Sequence, residues 1–112
     1  MIKNYFVYIM TCKSNTAIYV GITSNLIKRC DDHISGKGSK FTDKYKCKKL
    51  IYYEWTRYLL NAIAREKEIK SWNRKKKVSL INSINPGWSE ISIDDPIGIK
   101  ILAFVPKPRT II

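Results

Sequence analysis

The chain has 112 residues, 45% of them apolar, and its 21 Lys+Arg against 9 Asp+Glu give a formal charge of +12. That length supports one hydrophobic core, and the apolar and aromatic content excludes a disordered chain. No uncharged apolar run approaches the roughly 18 residues a bilayer span needs, and the N-terminus lacks the order of a signal peptide, so a cytoplasmic protein is expected.

Tyr5-Phe6-Val7-Tyr8-Ile9-Met10 and Ala17-Ile18-Tyr19-Val20-Gly21-Ile22 are β-branched and aromatic runs separated by Ser14-Asn15-Thr16, which predicts a β-hairpin. Thr23-Ser24-Asn25 offers N-caps for a helix reaching about Ser35, with Leu26, Ile27, Cys30 and Ile34 as its apolar stripe. Gly36 and Gly38 end it. The segment Gly36-Lys37-Gly38-Ser39-Lys40 is not a phosphate loop, because Asp31 stands where the first glycine of that pattern belongs. Leu50 to Trp55 reads as a third strand. A helix from about Tyr58 to Trp72 follows, with Leu59, Ala62, Ile63 and Ile69 on one face, and a shorter one from about Arg74 to Ile84 is stopped by Pro86. After Trp88, Ile97 to Phe104 hints at a terminal strand while Pro96, Pro106 and Pro108 suggest an extended tail. The order β-β-α-β-α-α predicts an α/β (α+β) domain over residues 1–88, with 89–112 an extended or weakly structured C-terminal extension.

Cys12, Cys30 and Cys47 are an odd number at irregular spacing, which fits reduced thiols rather than a disulfide framework. Cys30 with His33 supplies two of the four ligands zinc wants.

Residues 1–77 hold 18 Lys+Arg and 6 Asp+Glu, whereas residues 78–112 hold three of each. The whole excess belongs to the first two thirds, which argues for a basic functional surface and a polyanionic partner. Lys44 to Lys49 carries four lysines in six positions, Arg74 to Lys77 is wholly basic, and Tyr45, Tyr52, Tyr53, Trp55 and Trp72 interleave with these clusters. Lys37, Lys40, Lys44, Lys70, Arg74 and Lys75 are the candidate nucleic-acid contacts. The plainer reading is solvated lysines over core aromatics.

Glu66 falls on the apolar stripe of its helix, three or four residues from Ala62, Ile63, Ile69 and Lys70, where a charge is costly unless paired or metal-bound. An ion pair with a lysine or arginine is its structural explanation. Arg29 and His33, four apart, share another helical face. Hydrolysis of a phosphodiester needs a base, a cation and care of the leaving oxygen. Tyr8, Tyr19, Arg29, His33 and Glu66 together offer these groups. A tyrosine titrates near pH 10 and becomes a base when neighbouring cations lower its pKa, a direction the basic surroundings favour.

These residues resemble a GIY-YIG nuclease domain of the small stand-alone bacterial kind, similar to the endonuclease domains of homing and excision-repair nucleases. Phe6-Val7-Tyr8 stands at the first motif and Tyr19-Val20-Gly21 at the second, with ten residues between the tyrosines. Leu26-Ile27-Lys28-Arg29 with His33 matches the arginine-bearing helix, and Ala62 to Lys70 matches the helix of the metal-binding glutamate. The resemblance runs from about Asn4 to Trp88.

It implies a three-stranded antiparallel sheet flanked by helices and an endonuclease of structure-selective or weak specificity, serving DNA repair, recombination or mobile-element processing. DNA is the implied partner, with RNA a second possibility. Glu66 would hold one Mg²⁺ or Mn²⁺, Tyr8 would be the general base, and Tyr19 would position water or phosphate, roles the family allows to be exchanged. Arg29 would stabilise phosphate charge, His33 would orient a tyrosine or shuttle a proton, and Gly21 would let the phosphate backbone approach. Phe6 replaces the first motif's glycine, and the family's late supporting asparagine has three candidates, Asn73, Asn82 and Asn85. The rival class is a nucleic-acid-binding module that keeps the fold without cutting.

Overall fold

A computed structural model describes residues 3–91 and 109–111; of Arg109 and Thr110 it describes the backbone alone. Three strands, β1 (Tyr5–Thr11), β2 (Ile18–Thr23) and β3 (Lys49–Thr56), pair antiparallel around β1. A two-residue strand, β4 (Arg109–Thr110), adds to β3 in parallel, so among the described residues the sheet order is β2-β1-β3-β4 with β2 at an edge. The expected α+β sheet of three strands is therefore present and is extended by one short strand. Among the described residues four helices accompany it: α1 (Leu26–Ile34), α2 (Lys40–Lys44), α3 (Leu59–Ser71) and α4 (Arg74–Asn82). Among the described residues no helix is long and apolar enough to cross a membrane.

Strand alternation divides the interior into two cores, one on each face of the sheet. Val7, Ile9, Val20 and Ile51 point to one side and pack with Ala62, Ile69, Leu80, Ile81 and Trp88, placing α3 and α4 on that face. Phe6, Tyr8, Met10, Leu50 and Tyr53 point to the other, where Leu26 brings in α1 and Cys47 and Ile91 close the cluster. The pairing shifts where Ile9 faces Tyr52 but Met10 faces Leu50. Ile51 is thus a bulged extra residue, which lets Ile51 and Tyr52 share the α3 face.

The helix ends follow local chemistry. Asn25, Ser39 and Asn73 cap α1, α2 and α4, each side-chain oxygen accepting from the backbone N–H three residues on. Gly36, at φ 83°, takes the left-handed conformation that turns the chain off α1. The reading of a terminal strand over 97–104 and most of the 89–112 extension lies outside the described residues. Of that extension, the Ile91 N–H donates to the Leu50 carbonyl at 2.8 Å and that of Ile111 to Trp55 at 2.7 Å.

Candidate active site

On the α1 face, β1 and β2 place Tyr8 opposite Gly21, and a Cβ at Gly21 would collide with the Tyr8 ring. The glycine is needed for that close approach, so its open face is filled by a phenol. Helix α1 points Arg29 and His33 toward the phenol, whose oxygen lies 2.8 Å from His33 Nε2 and accepts from Arg29 Nε at 3.3 Å. The other ring nitrogen, Nδ1, lies 2.9 Å from Thr42 Oγ1 on α2.

The Thr42 hydroxyl has one proton and three acceptors in reach, the Ser39 carbonyl at 3.2 Å, Ser39 Oγ at 2.9 Å and His33 Nδ1; when it turns to Ser39, Thr42 accepts from His33 Nδ1–H. Nε2 is then the acceptor, and the Tyr8 hydroxyl donates to it. His33 is fully buried, and burial, followed by the charge of Arg29 and only partly offset by Asp32, pushes its pKa down to about 4. A neutral imidazole whose one lone pair accepts from Tyr8 is the state this requires. With both nitrogens engaged, His33 has no electron pair for a metal, which removes the zinc reading with Cys30. All three cysteines are free.

Tyr8 corrects another expectation. Its burial raises the phenol pKa well above the ordinary value, outweighing the lowering by the Arg29 hydrogen bond, and the neighbouring Tyr19 raises it further. At rest Tyr8 is a phenol, not a phenolate. Tyr19, on the edge strand, is only partly buried and stacks its ring 6.1 Å from that of Tyr8 and 5.3 Å from His33. Arg29, 30% exposed, is held by the Gly38 carbonyl at 2.9 Å and lies 3.8 Å from Asp32. Gly38 also passes so near His33 that a Cβ there would collide with the imidazole.

Glu66 stands apart. It belongs to α3, whose buried Ala62 and Ile69 pack on the opposite sheet face, although that helix lies along the edge strand β2. Its side chain is 16% exposed and pairs with half-exposed Lys70 at 3.5 Å. Among the described residues it makes no hydrogen bond to Tyr8, Tyr19, Arg29 or His33. Among the described residues no three His, Cys, Asp or Glu side chains converge, which excludes a closed zinc-type cage there. One hard carboxylate, held by a weak pair to an exposed lysine, suits an ion that keeps its waters and takes phosphate oxygens.

Several expected surface contacts have other partners. Arg74 spends two N–H groups on the Thr16 and Asn15 carbonyls, both at 2.8 Å, tying α4 to the β-hairpin loop. Lys37, Lys40, Lys44 and Lys75 are exposed. Of the aromatics interleaved with lysine, Tyr52 and Tyr53 are core, Trp55 is partly buried against the Phe6–Tyr8 cluster, and Trp72 is flanked by Arg65 at 5.3 Å and Lys76 at 4.5 Å, leaving Tyr45 exposed. None of the three asparagines hydrogen-bonds to the tyrosine cluster. Asn73 caps α4, Asn82 accepts from Trp88 Nε1 at 2.7 Å, and buried Asn85 ties the bulge at Ile51 to Ser89 through two bonds of 2.9 Å.

Sequence reasoning missed Gly38, Ser39 and Thr42, which complete the cluster. The Ser39 N-cap was a usable signal, since it announces the helix that carries Thr42. It also passed over Glu54, a fully buried carboxylate on β3 that takes Arg65 Nε at 2.8 Å, Arg65 Nη2 at 2.9 Å and the Tyr52 hydroxyl.

The order and spacing of these groups can be compared with known proteins. The family model of the GIY-YIG catalytic domain matches residues 4–79. A UPF0213 protein of Staphylococcus haemolyticus is 40% identical over 81 residues, covering 72% of this chain and 96% of the relative. One from Syntrophus aciditrophicus is 41% identical over 87 residues, covering 77% and 97%. The solution NMR structure of a UPF0213 protein from Bacillus halodurans is 32% identical, with a TM-score of 0.48 over 71% of this chain and 84% of that one. The chain therefore belongs to the GIY-YIG family, a nuclease-type family that acts on nucleic acids, and is similar to its small UPF0213 members.

Proposed function

We propose that the protein is a metal-dependent endonuclease that hydrolyses DNA phosphodiester bonds to a 5′-phosphate and a 3′-hydroxyl. The observation that carries this reading is the hydrogen-bonded chain Arg29–Tyr8–His33–Thr42, in which a phenol has a proton acceptor behind it and a guanidinium in front. That is the arrangement of a base whose own proton has somewhere to go.

In this reading a scissile phosphate draws Arg29 outward and uncovers the Tyr8 oxygen. A water between phosphate and phenol gives its proton to Tyr8 as the phenol proton passes to His33 Nε2, so no free phenolate is needed. The imidazolium formed is costly in a buried site, and the phosphate charge offsets that cost. Thr42 keeps the imidazole in the required tautomer. Tyr19, the accessible phenol, positions water or phosphate, and Arg29 stabilises charge on the phosphoryl oxygens. Glu66, at the edge strand, would hold one Mg²⁺ or Mn²⁺. When bound, such an ion supplies Lewis-acid neutralisation of the leaving oxygen.

The test is incubation with linear, nicked and branched DNA in Mg²⁺, Mn²⁺ or chelator. Cleavage abolished by chelator and by Glu66→Ala, with DNA binding retained, is the expected result. Binding without cleavage of any substrate in any metal would leave a nucleic-acid-binding module instead.

A further inference from the structure

Helix α2 has two sides. Thr42 points inward to His33, whereas Phe41 and Tyr45, four residues apart, lie together on its outer side and are 41% and 46% exposed. Their rings touch, with centroids 4.7 Å apart, and Phe41 lies 6.0 Å from Tyr19, which itself contacts His33. A continuous row of aromatic rings therefore leads from the buried cluster out to solvent. Lys44 sits over Tyr45 at 5.2 Å, and Lys37, Lys40, Lys46 and Lys48 are exposed on the same stretch of chain.

Exposed rings set among exposed ammonium groups match a ligand with flat apolar faces strung on a polyanion. In a closed duplex each base already has neighbours on both faces, so only an unpaired strand can offer one to Phe41 or Tyr45. We propose that the Tyr19–Phe41–Tyr45 row is a stacking platform for single-stranded DNA that leads the strand into the Tyr8–His33 cluster, making an unpaired strand the substrate. This rests on the nuclease reading, since it names the strand delivered to that site. Lys44 would leave the Tyr45 ring for a phosphate as a base arrives.

The test is fluorescence anisotropy in chelator, where no cutting interferes, with a labelled oligo-dT and a blunt hairpin duplex of equal length. Oligo-dT is expected to bind about tenfold tighter or more, and the Phe41→Ala/Tyr45→Ala double variant to lose at least about tenfold on oligo-dT while staying within about twofold on duplex. Phe41→Trp is expected to keep oligo-dT binding. Tyr45→Ala alone, at a half-exposed ring, gives the same direction of loss should the double variant misfold. Equal binding of duplex, or oligo-dT binding indifferent to both rings, would overturn the platform. Cleavage measured in parallel with Mg²⁺ separates the two readings. Ring-dependent binding without cleavage in any metal supports the platform and defeats the nuclease. Metal-dependent cleavage with ring-independent binding does the reverse.

Discussion

On the sheet face covered by α3 and α4, Val7, Ile9, Val20 and Ile51 meet Ala62, Ile69 and Ile81, and buried Glu54 is closed into a two-pronged pair with Arg65. On the face covered by α1 and α2, Tyr8 and His33 are equally buried, yet they form an unclosed polar chain ending at a partly exposed arginine and fitted around two glycines. A buried polar group with every bond satisfied within the fold supports structure. One that ends on a group facing solvent can exchange a partner with a ligand. The contrast teaches that both faces carry a hydrophobic core, while the buried tyrosine–histidine chain that ends on a group facing solvent lies on the α1 face.

The comparison breaks most sharply under paired substitutions. Tyr8→Phe is expected to reduce single-turnover cleavage about 10²–10⁴-fold, the usual worth of a general base. The same change should alter urea stability by only about 1 kcal/mol. Ile69→Ala should do the opposite, costing about 2–5 kcal/mol and leaving cleavage per folded molecule unchanged. Equal effects of both variants on both readouts would erase the division between the faces.

A narrower break uses glycine. Gly38→Ala forces a methyl against His33, so the imidazole leaves Tyr8. Cleavage should fall about a hundredfold from the misplacement, and the imidazole NMR resonances should shift. Gly87→Ala, whose methyl would meet only Ser89 Oγ at 3.5 Å, is the control and should match the wild type.

The pH dependence of stability sharpens the same point. His33 holds its proton less well folded than unfolded, with a native pKa of about 4 against an ordinary 6.5. The unfolded chain therefore gains a proton first as pH falls, and stability is lost between about pH 6.5 and 4 and is flat above that window. The loss by pH 4.5 should be on the order of 2 kcal/mol relative to His33→Gln, read from urea midpoints. Identical profiles for the two proteins would mean that the imidazole is not buried neutral.

Strands β1, β2 and β3 were legible because branched and aromatic residues run unbroken through them, α1 because its Asn25 cap and apolar stripe agree, and α3 and α4 from apolar residues recurring at helical spacing. Helix α2 was not, since five residues are too few to display a period. Two-residue β4 depends on a partner distant in sequence, Glu54–Trp55, which no local pattern reveals. In the site, Tyr8, Arg29 and His33 were legible as types at helix and strand spacing. Their direct contact was not, and the phenol pKa was misjudged because local charge is visible in a sequence while burial is not. Glu66 shows a related limit: its i,i+4 pairing with Lys70 was within reach of helical spacing, but the sheet face that α3 covers was not.

A double-mutant cycle on single-turnover cleavage, built from Tyr8→Phe, His33→Gln and the pair, addresses the relay itself. If one proton path runs through both side chains, the double variant should be no slower than the slower single variant. Rate losses that multiply, or a wild-type protein that cleaves no substrate, would contradict it.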